Sequence, residues 1–264
     1  MKTYSIFETH AHYDDEAFEP DRDGLLSSLQ GNGIGTVVNV CASVGELGRT
    51  IALTEKYPFV YGAVGVHPDD ADKMTEQTLN EIRELSRREK ILAIGEIGLD
   101  YYWHKEEAAH EIQKKMFRAQ MDIAREEKLP FMIHSRDAAK DTLDIVKEYM
   151  DEGMYGGIIH CFSYGKEMAE QYLNKGLYLG IGGVVTFKNA KKLKEVVEYA
   201  PLEQLVLETD SPYLSPEPNR GKRNSSLNLP YVARAIGELK GISEEEVIRI
   251  TGQNAEKLLF HRIK

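Results

Sequence analysis

The sequence has few cysteines, no long apolar segment and no excess of positive charge, and each shortage argues against a class of protein. Only two cysteines occur, Cys41 and Cys161, which favours free, buried thiols in a cytoplasmic protein over a disulfide framework. No run approaches the roughly 18 consecutive apolar residues of a membrane span. The formal net charge of −10 argues against non-specific binding of polyanions by the whole surface.

What is present is an ordinary globular composition, 42% hydrophobic and 29% charged, without a linker, a low-complexity tract or a strong repeat. Short apolar segments alternate eight times with amphipathic segments at helical spacing. Strands without polar alternation are expected in parallel sheets, where both faces are buried. The pattern predicts an α/β fold, a (β/α)8 TIM barrel that forms a single domain over residues 1–264. An open doubly wound sheet is the alternative, although no Gly-x-Gly-x-x-Gly follows the first strand.

Polar side chains interrupt the apolar segments almost only at their carboxyl ends. They are His10 and His12 on the first predicted strand, His67 on the third, Glu96 on the fourth, His134 on the fifth, His160 on the sixth and Asp210 on the eighth. In a barrel these ends surround one mouth, where active sites lie. His10 and His12 are two residues apart, so on a strand they point to the same face. We therefore predict one polar site at the C-terminal mouth of the strands.

The donor types suit a centre of two divalent metal ions. Imidazole ligands favour Zn or Mn, and because carboxylates also bind Mg, that ion is a candidate too. The predicted ligands are His10, His12 and Asp210 for one ion, His134 and His160 for the other, and Glu96 as the bridge. Metal ions lower the pKa of bound water, and Asp210 is placed to accept the proton of that water as general base. Glu208 shares a strand face with Asp210, and we favour a structural salt bridge over a role in orienting a ligand histidine.

Six motifs resemble, in order, the signatures of TatD-family deoxyribonucleases, which belong to the amidohydrolase-like metal-dependent barrels. They are Glu8-Thr9-His10-Ala11-His12, Gly65-Val66-His67-Pro68, Gly95-Glu96-Ile97-Gly98-Leu99-Asp100-Tyr101-Tyr102, His134-Ser135-Arg136, His160-Cys161-Phe162-Ser163 and Glu208-Thr209-Asp210-Ser211-Pro212-Tyr213-Leu214. The resemblance implies a (β/α)8 fold, a binuclear divalent-metal centre with the same six ligands, and hydrolysis of nucleic-acid phosphodiesters. In the family this is largely Mg-dependent 3′→5′ exonuclease activity on single-stranded DNA and RNA. One departure is Glu8, where the family usually has Asp.

Cationic and aromatic residues near the predicted mouth are candidates for contact with substrate. The basic loop after the eighth strand lies where barrels often build phosphate sites, and exposed aromatic rings stack on unpaired bases. The predicted substrate contacts are His67, Arg136, Arg220, Lys222, Arg223, Tyr101 and Tyr102. Each has a structural alternative: His67 precedes Pro68 and is equally well placed to cap its strand, and the aromatic run can simply pack its loop.

These observations favour a metal-dependent nuclease that acts on single-stranded nucleic acid, with no membrane and no obligate protein partner. The same metal centre suits another hydrolase, such as an aminoacyl-tRNA deacylase, an amidase or a lactonase. A non-catalytic metal-binding protein is the third hypothesis, and the complete ligand set argues against it. The basic loop favours phosphate-bearing substrates but does not separate DNA or RNA from charged tRNA.

Overall fold

A single parallel sheet of eight strands, arranged in sequence order, forms the centre of the molecule in this computed structural model, which describes residues 5–261. The strands are β1 (Ile6–Ala11), β2 (Ile34–Val40), β3 (Val60–Val64), β4 (Ile91–Asp100), β5 (Phe131–Arg136), β6 (Gly157–Ile159), β7 (Tyr178–Ile181) and β8 (Leu205–Leu207). The helices are α1 (Arg22–Leu29), α2 (Leu47–Lys56), α3 (Glu76–Leu85), α4 (Glu107–Glu126), α5 (Ala139–Asp151), α6 (Lys166–Leu173), α7 (Lys191–Tyr199), α8 (Leu229–Lys240) and α9 (Glu244–Leu259). Consecutive strands pair in parallel, which confirms the (β/α)8 barrel and excludes the doubly wound order.

The first and last strands meet at the mouth of the barrel. The backbone N–H of Asp210 donates to the carbonyl oxygen of His10 at 3.0 Å, and that of His12 donates to Ser211 at 2.8 Å. Ala11 and Ser211 form a parallel bridge between the same segments. The barrel is therefore nearly closed, and the peptide groups that close it belong to the segments that carry three of the predicted ligands.

Alternate strand residues divide the apolar core into two layers. One layer combines strand residues such as Phe131 and Ile133 with the inward faces of the helices. The other joins Met132, Ile158 and Val206 from different strands and includes, from the helices, only the end of α9, so it fills the barrel. Because side chains alternate, residues two positions after these three point into the same interior, toward the mouth. That places His134, His160 and Glu208 inside the barrel.

Two further features predicted from the sequence are free cysteines and the lack of a membrane-spanning segment. Both cysteines are free, and Cys41 is buried while Cys161 is partly so. Within residues 5–261 no helix combines the length and apolar character that a membrane span needs.

Candidate metal centre

Glu96 lies at the middle of the predicted ligands and presents its two oxygens to different groups of imidazoles. Its Oε2 is 3.2 Å from Nε2 of His10 and 3.6 Å from Nε2 of His12. Its Oε1 is 3.0 Å from Nδ1 of His134 and 3.6 Å from Nε2 of His160. This arrangement is what a bridging carboxylate requires, and it brings together the residues that the strand-end pattern predicted.

Asp210 lies between the two groups rather than beside one of them. Its Oδ1 is 3.3 Å from Nε2 of His12 and 3.7 Å from Nε2 of His160. The ring of His160 stacks on that of His10 with centroids 3.5 Å apart. Three ligand atoms that can share one ion therefore come from His10, His160 and Asp210, a grouping that the sequence did not predict. A second group of three, His10, His12 and Glu96, agrees with the predicted sharing, so the set of six is brought together and its division between ions stays a prediction.

The hydrogen bonds around the histidines fit the binding of cations. Nδ1 of His12 lies 2.7 Å from the carbonyl oxygen of Val40, which only accepts, so Nδ1 carries the proton and Nε2 offers a lone pair to the centre. Nδ1 of His160 lies 3.1 Å from Oε1 of the fully buried Glu208, so its Nε2 also faces inward. Glu208 thus orients a histidine through an ion pair inside the barrel, so the structure combines the two alternatives that the sequence left open.

His134 uses its other nitrogen. Its Nε2 lies 3.1 Å from Oδ2 of Asp100, so Nδ1 is the atom that faces Glu96. Gly98 makes this possible, because its φ of +144° suits glycine and a Cβ at this position would collide with the carbonyl oxygen of His134. Ring nitrogens and carboxylate oxygens that face one another form a donor set that suits Zn, Mn or Mg, and a bound metal would replace any proton on the inward nitrogens.

Asp100 is a functional candidate that the sequence argument overlooked. It ends β4, is 1% exposed, and its second oxygen accepts the backbone N–H groups of Tyr102 and Trp103 at 2.8 and 3.2 Å. The amide of Gln113 fixes its backbone by one hydrogen bond in each direction. The apolar run predicts a fourth strand over residues 91–97, whereas β4 continues to Asp100, so the strand-end pattern did not include this residue.

The charges of the centre depend on one another. Burial by itself raises the pKa of Glu96, but His160 and His10 lower it well below its usual value. Asp210 follows the same pattern, since burial opposes ionisation and the hydrogen bond with His12 brings its pKa down overall. Burial lowers the pKa of His134, but Asp100 and Glu96 more than offset this and raise it to about 9. Both carboxylates are thus ionised at neutral pH, as metal ligands must be.

Glu8 connects β1 to the segment that carries Asp210. Its side chain is fully buried and accepts four hydrogen bonds, from the N–H (2.8 Å) and hydroxyl (2.7 Å) of Thr209, the hydroxyl of Ser226 (3.0 Å) and the N–H of His10 (3.2 Å). Burial raises the pKa of Glu8 to about 8 despite these donors. Asp210 follows Thr209 directly and has a φ of +58°, a conformation that a non-glycine residue holds only where its surroundings fix it.

His67 has both features that the sequence left open. Its Nδ1 accepts the N–H of Asp69 at 3.2 Å, so the ring caps the turn after β3. Its Nε2 lies 3.9 Å from Oε1 of Glu96, inside the centre. Burial and the neighbouring His134 lower the pKa of His67 to about 4, so the ring is neutral and Nε2 carries its single proton. The geometry therefore directs an N–H donor at the centre, although His67 is also close enough to Glu96 and His134 to share an ion.

The cations of the basic loop differ in how far they are already engaged. Arg223 pairs with both carboxylate oxygens of Asp21 at 2.8 and 2.6 Å. Arg220 stacks on Phe187 at 4.2 Å, and Lys222 is exposed with no carboxylate partner among the described residues. Arg223 thus holds its own loop to the segment before α1, which leaves Arg220 and Lys222 as the more available cations.

The aromatic residues after β4 also separate into two kinds. Tyr101 stacks on His110 at 3.6 Å and donates its hydroxyl to Asp141 at 2.8 Å, so it packs the loop against α4 and α5. Tyr102 is exposed, and the guanidinium of Arg136 lies 3.9 Å above its ring. The structure therefore favours the packing alternative for Tyr101 and an exposed site for Tyr102.

One side of the mouth is acidic. A cavity of about 210 Å³ beside His12 and His67 is lined by carboxylates and by Tyr213. The acidic residues are Asp15, Glu46, Asp69 and Asp70. Arg136 ends β5, next to β4, and is not among the residues that line this cavity, so acidic and cationic residues lie at different places on the rim of the mouth.

Comparison with known proteins places the chain among metal-dependent hydrolases. A family model described as TatD related DNase matches residues 7–260. The uncharacterized metal-dependent hydrolase YabD of Bacillus subtilis is 44% identical over 96% of this chain and 98% of its own length. A Salmonella typhimurium protein named 3'-5' ssDNA/RNA exonuclease TatD is 28% identical over 96% and 98% of the two chains. The crystal structure of YjjV, a TatD homolog from Escherichia coli K12, superposes with a TM-score of 0.88 at 27% identity, covering 96% and 97% of the two chains. The eight-stranded barrel, the buried cluster of histidines and carboxylates and these matches together show that the chain belongs to the TatD related DNase family of metal-dependent hydrolases.

Proposed function

We propose that this protein is a phosphodiesterase that degrades single-stranded DNA and RNA from the 3′ end and uses two divalent ions, Mg, Mn or Zn. The observation that carries the proposal is Glu96, whose two oxygens face separate groups of imidazoles. The family match and the name of the Salmonella typhimurium relative, a 3'-5' ssDNA/RNA exonuclease, support the choice of substrate. The proposed ligands are His10, His12, Glu96, His134, His160 and Asp210.

The chemistry divides between the ions and the chain. When bound, two divalent ions supply Lewis-acid activation of water and of the phosphate oxygens. Asp210, ionised and 17% exposed at its side chain, accepts the proton of the attacking water. The Nε2–H of His67 donates to a non-bridging phosphate oxygen. The water oxygen forms a new bond to phosphorus, the bond from phosphorus to the 3′ oxygen breaks, and that oxygen takes up the proton that Asp210 received.

The distribution of charge favours attack at the end of a strand. The cavity of about 210 Å³ is lined by four carboxylates and repels a continuing phosphate backbone. The wall with Arg136 attracts phosphates instead. A strand therefore approaches over the cationic wall and presents only its terminal nucleoside to the acidic side.

The direct test is digestion of single-stranded DNA and RNA labelled at either end, with Mg, Mn or Zn supplied separately. We expect a ladder that shortens from the 3′ end and stops on addition of a chelator. Glu96→Gln and His134→Ala are expected to abolish turnover while the far-ultraviolet circular dichroism stays unchanged. Full degradation by both variants would show that the activity arises elsewhere.

The acidic cavity also favours a second candidate, hydrolysis of an ester or amide that carries a free ammonium group. Four carboxylates beside the centre suit such a group, as in an aminoacyl-tRNA or an amino-acid amide. The same preparation is therefore assayed with aminoacylated tRNA. Deacylation without shortening of the oligonucleotides favours this candidate over the nuclease.

A further inference from the structure

Trp103 is a large apolar side chain displayed to solvent beside the candidate metal centre. At 64% exposure it is the most exposed large hydrophobic residue in the range 5–261, and it is the single tryptophan of the sequence. It lies in the loop between β4 and α4, seven positions after Glu96 (96 to 103). An indole held in water loses the stabilisation that burial of its ring supplies, so its display next to an active centre favours a ligand with an apolar face.

The position of Trp103 is fixed relative to the centre. One oxygen of Asp100 accepts the backbone N–H of Trp103 at 3.2 Å and that of Tyr102 at 2.8 Å, and the other faces His134 at 3.1 Å. Asp100 is itself buried and held by Gln113. A single carboxylate therefore connects a candidate metal ligand to the backbone that carries the indole, which fixes that backbone relative to the centre.

The surroundings of the indole are cationic. The guanidinium of Arg136 lies 3.9 Å from the ring centre of Tyr102 and 5.6 Å from that of Trp103, and Lys105 lies 5.3 Å from Tyr102. Arg136 is exposed and forms no ion pair with any residue between 5 and 261. Tyr102 and Trp103 form a T-shaped pair at 86°, and no ring among the described residues is stacked parallel on the indole. The guanidinium of Arg136 lies over both rings, closer to Tyr102, and the indole still presents most of its surface to solvent with this unpaired cation beside it.

We infer that Trp103 stacks on an unpaired base of a single-stranded substrate while Arg136 pairs with a neighbouring phosphate. This deepens the proposed nuclease function and rests on it. A base that has left a duplex has a bare π-face, and stacking on an aromatic side chain recovers the contact without regard to base identity. A base inside a duplex already stacks on its neighbours and cannot reach the indole. The pair therefore selects single-stranded ends and accepts all four bases.

Because Trp103 is the single tryptophan, its fluorescence reports binding at this position alone. The full chain is titrated with an eight-nucleotide oligothymidylate in chelator, so that no cleavage occurs, and binding is followed in parallel by the anisotropy of a labelled copy. We expect saturable quenching of the indole with the same midpoint as the anisotropy. A blunt DNA hairpin without unpaired ends is expected to leave the emission unchanged.

Variants separate stacking from a structural role. Trp103→Ala is expected to weaken binding of the oligonucleotide about 5- to 150-fold, the range for loss of one stacked base. Trp103→Phe keeps an aromatic face and is expected to retain most of the affinity. Tyr155→Ala removes another exposed ring, 48% exposed, from the amino end of β6 and serves as the matched control, with affinity unchanged. Thermal unfolding of each variant checks that the fold is intact.

The outcomes distinguish this inference from the proposed function. Oligonucleotide binding without quenching, or an alanine variant that binds as tightly as the parent, overturns the stacking role even if the protein is a nuclease. Quenching that depends on Trp103, without any cleavage once metal is restored, supports the stacking role and overturns the nuclease. Absence of binding by both signals overturns the stacking role, and digestion of the end-labelled oligonucleotides with metal supplied then decides the nuclease.

Discussion

Replacement of Glu8 by aspartate tests how the barrel is closed at the candidate metal centre. Glu8→Asp shortens the side chain by one methylene, so its carboxylate no longer reaches both Thr209 and Ser226 while still accepting from His10. The hydroxyls of Thr209 and Ser226 have other partners, since Ser211 and Tyr13 lie within hydrogen-bond distance. The N–H of Thr209 has no such alternative among the described residues and is left buried without an acceptor.

The magnitude follows from two costs. A buried donor without a partner costs about 1–3 kcal/mol, and a cavity of one methylene adds about 1 kcal/mol. We therefore expect Glu8→Asp to lower the free energy of unfolding by about 2–4 kcal/mol. Loss of the bond to Thr209 also frees the peptide before Asp210, so kcat is expected to fall more than KM rises.

Urea unfolding in chelator, followed by circular dichroism, measures this cost without the contribution of bound metal. The matched control is Glu8→Gln, which keeps the length of the side chain and an acceptor for Thr209, and whose hydroxyl neighbours can rotate to accept from its amide. We expect the glutamine variant to be clearly more stable than the aspartate variant. Equal stability of the aspartate variant and the parent would refute the reasoning, because it would mean that β8 relaxes onto the shorter chain at no cost.

Three further predictions concern the surroundings of the centre. Asp100→Asn leaves the fold intact but is expected to weaken metal binding about 10- to 100-fold in calorimetric titrations, because the amide orients His134 less well. Gly98→Ala places a Cβ against the carbonyl oxygen of His134, so turnover is expected to fall sharply, whereas Gly153→Ala, in an open turn at a φ of +88°, is expected to leave turnover unchanged. The pKa of Glu8 is raised from 4.5 to about 8, so the unfolded chain ionises first and this residue's contribution to stability declines as pH rises from 4.5 to 8. In chelator, urea unfolding of Glu8→Gln should therefore show a flatter pH profile than the parent; a profile of the same slope contradicts this.

The carboxyl ends of apolar strands were a sufficient signal for the fold and for the six candidate ligands. Periodicity predicts which face a side chain shares, and a barrel brings all strand ends to one mouth. Strand boundaries are predicted less well: the apolar run at residues 59–66 predicts a third strand of that length, whereas β3 spans Val60–Val64. The last residues before His67 leave the ladder because the chain turns there into the helical turn that His67 caps.

The sequence does not predict which side chains far apart in the chain form ion pairs or stacking contacts. The pair of Arg223 with Asp21 joins residues 202 positions apart, so the basic run alone indicated substrate contact rather than a loop anchor. Likewise, nothing local distinguishes Tyr101, which packs on His110, from the exposed ring of Tyr102. Periodicity predicts which face of a strand or helix a side chain lies on. Which residue it contacts on that face is decided only when the barrel closes.

The closure of the barrel through His10, His12, Asp210 and Ser211 has a consequence for folding kinetics. These peptide groups join positions 200 residues apart (10 and 210), among the longest loops that the chain must close. Contacts between residues so far apart in the sequence form late in folding and open early in unfolding. We therefore expect unfolding to begin at this seam between the first strand and the segment after the eighth. The proposed ligands lie on both sides of this seam, so a divalent ion held by them would act as a removable cross-link. Such an ion would stabilise the native chain by mass action and slow the opening that precedes unfolding, and we expect the lifetime of the folded protein to lengthen when metal is supplied.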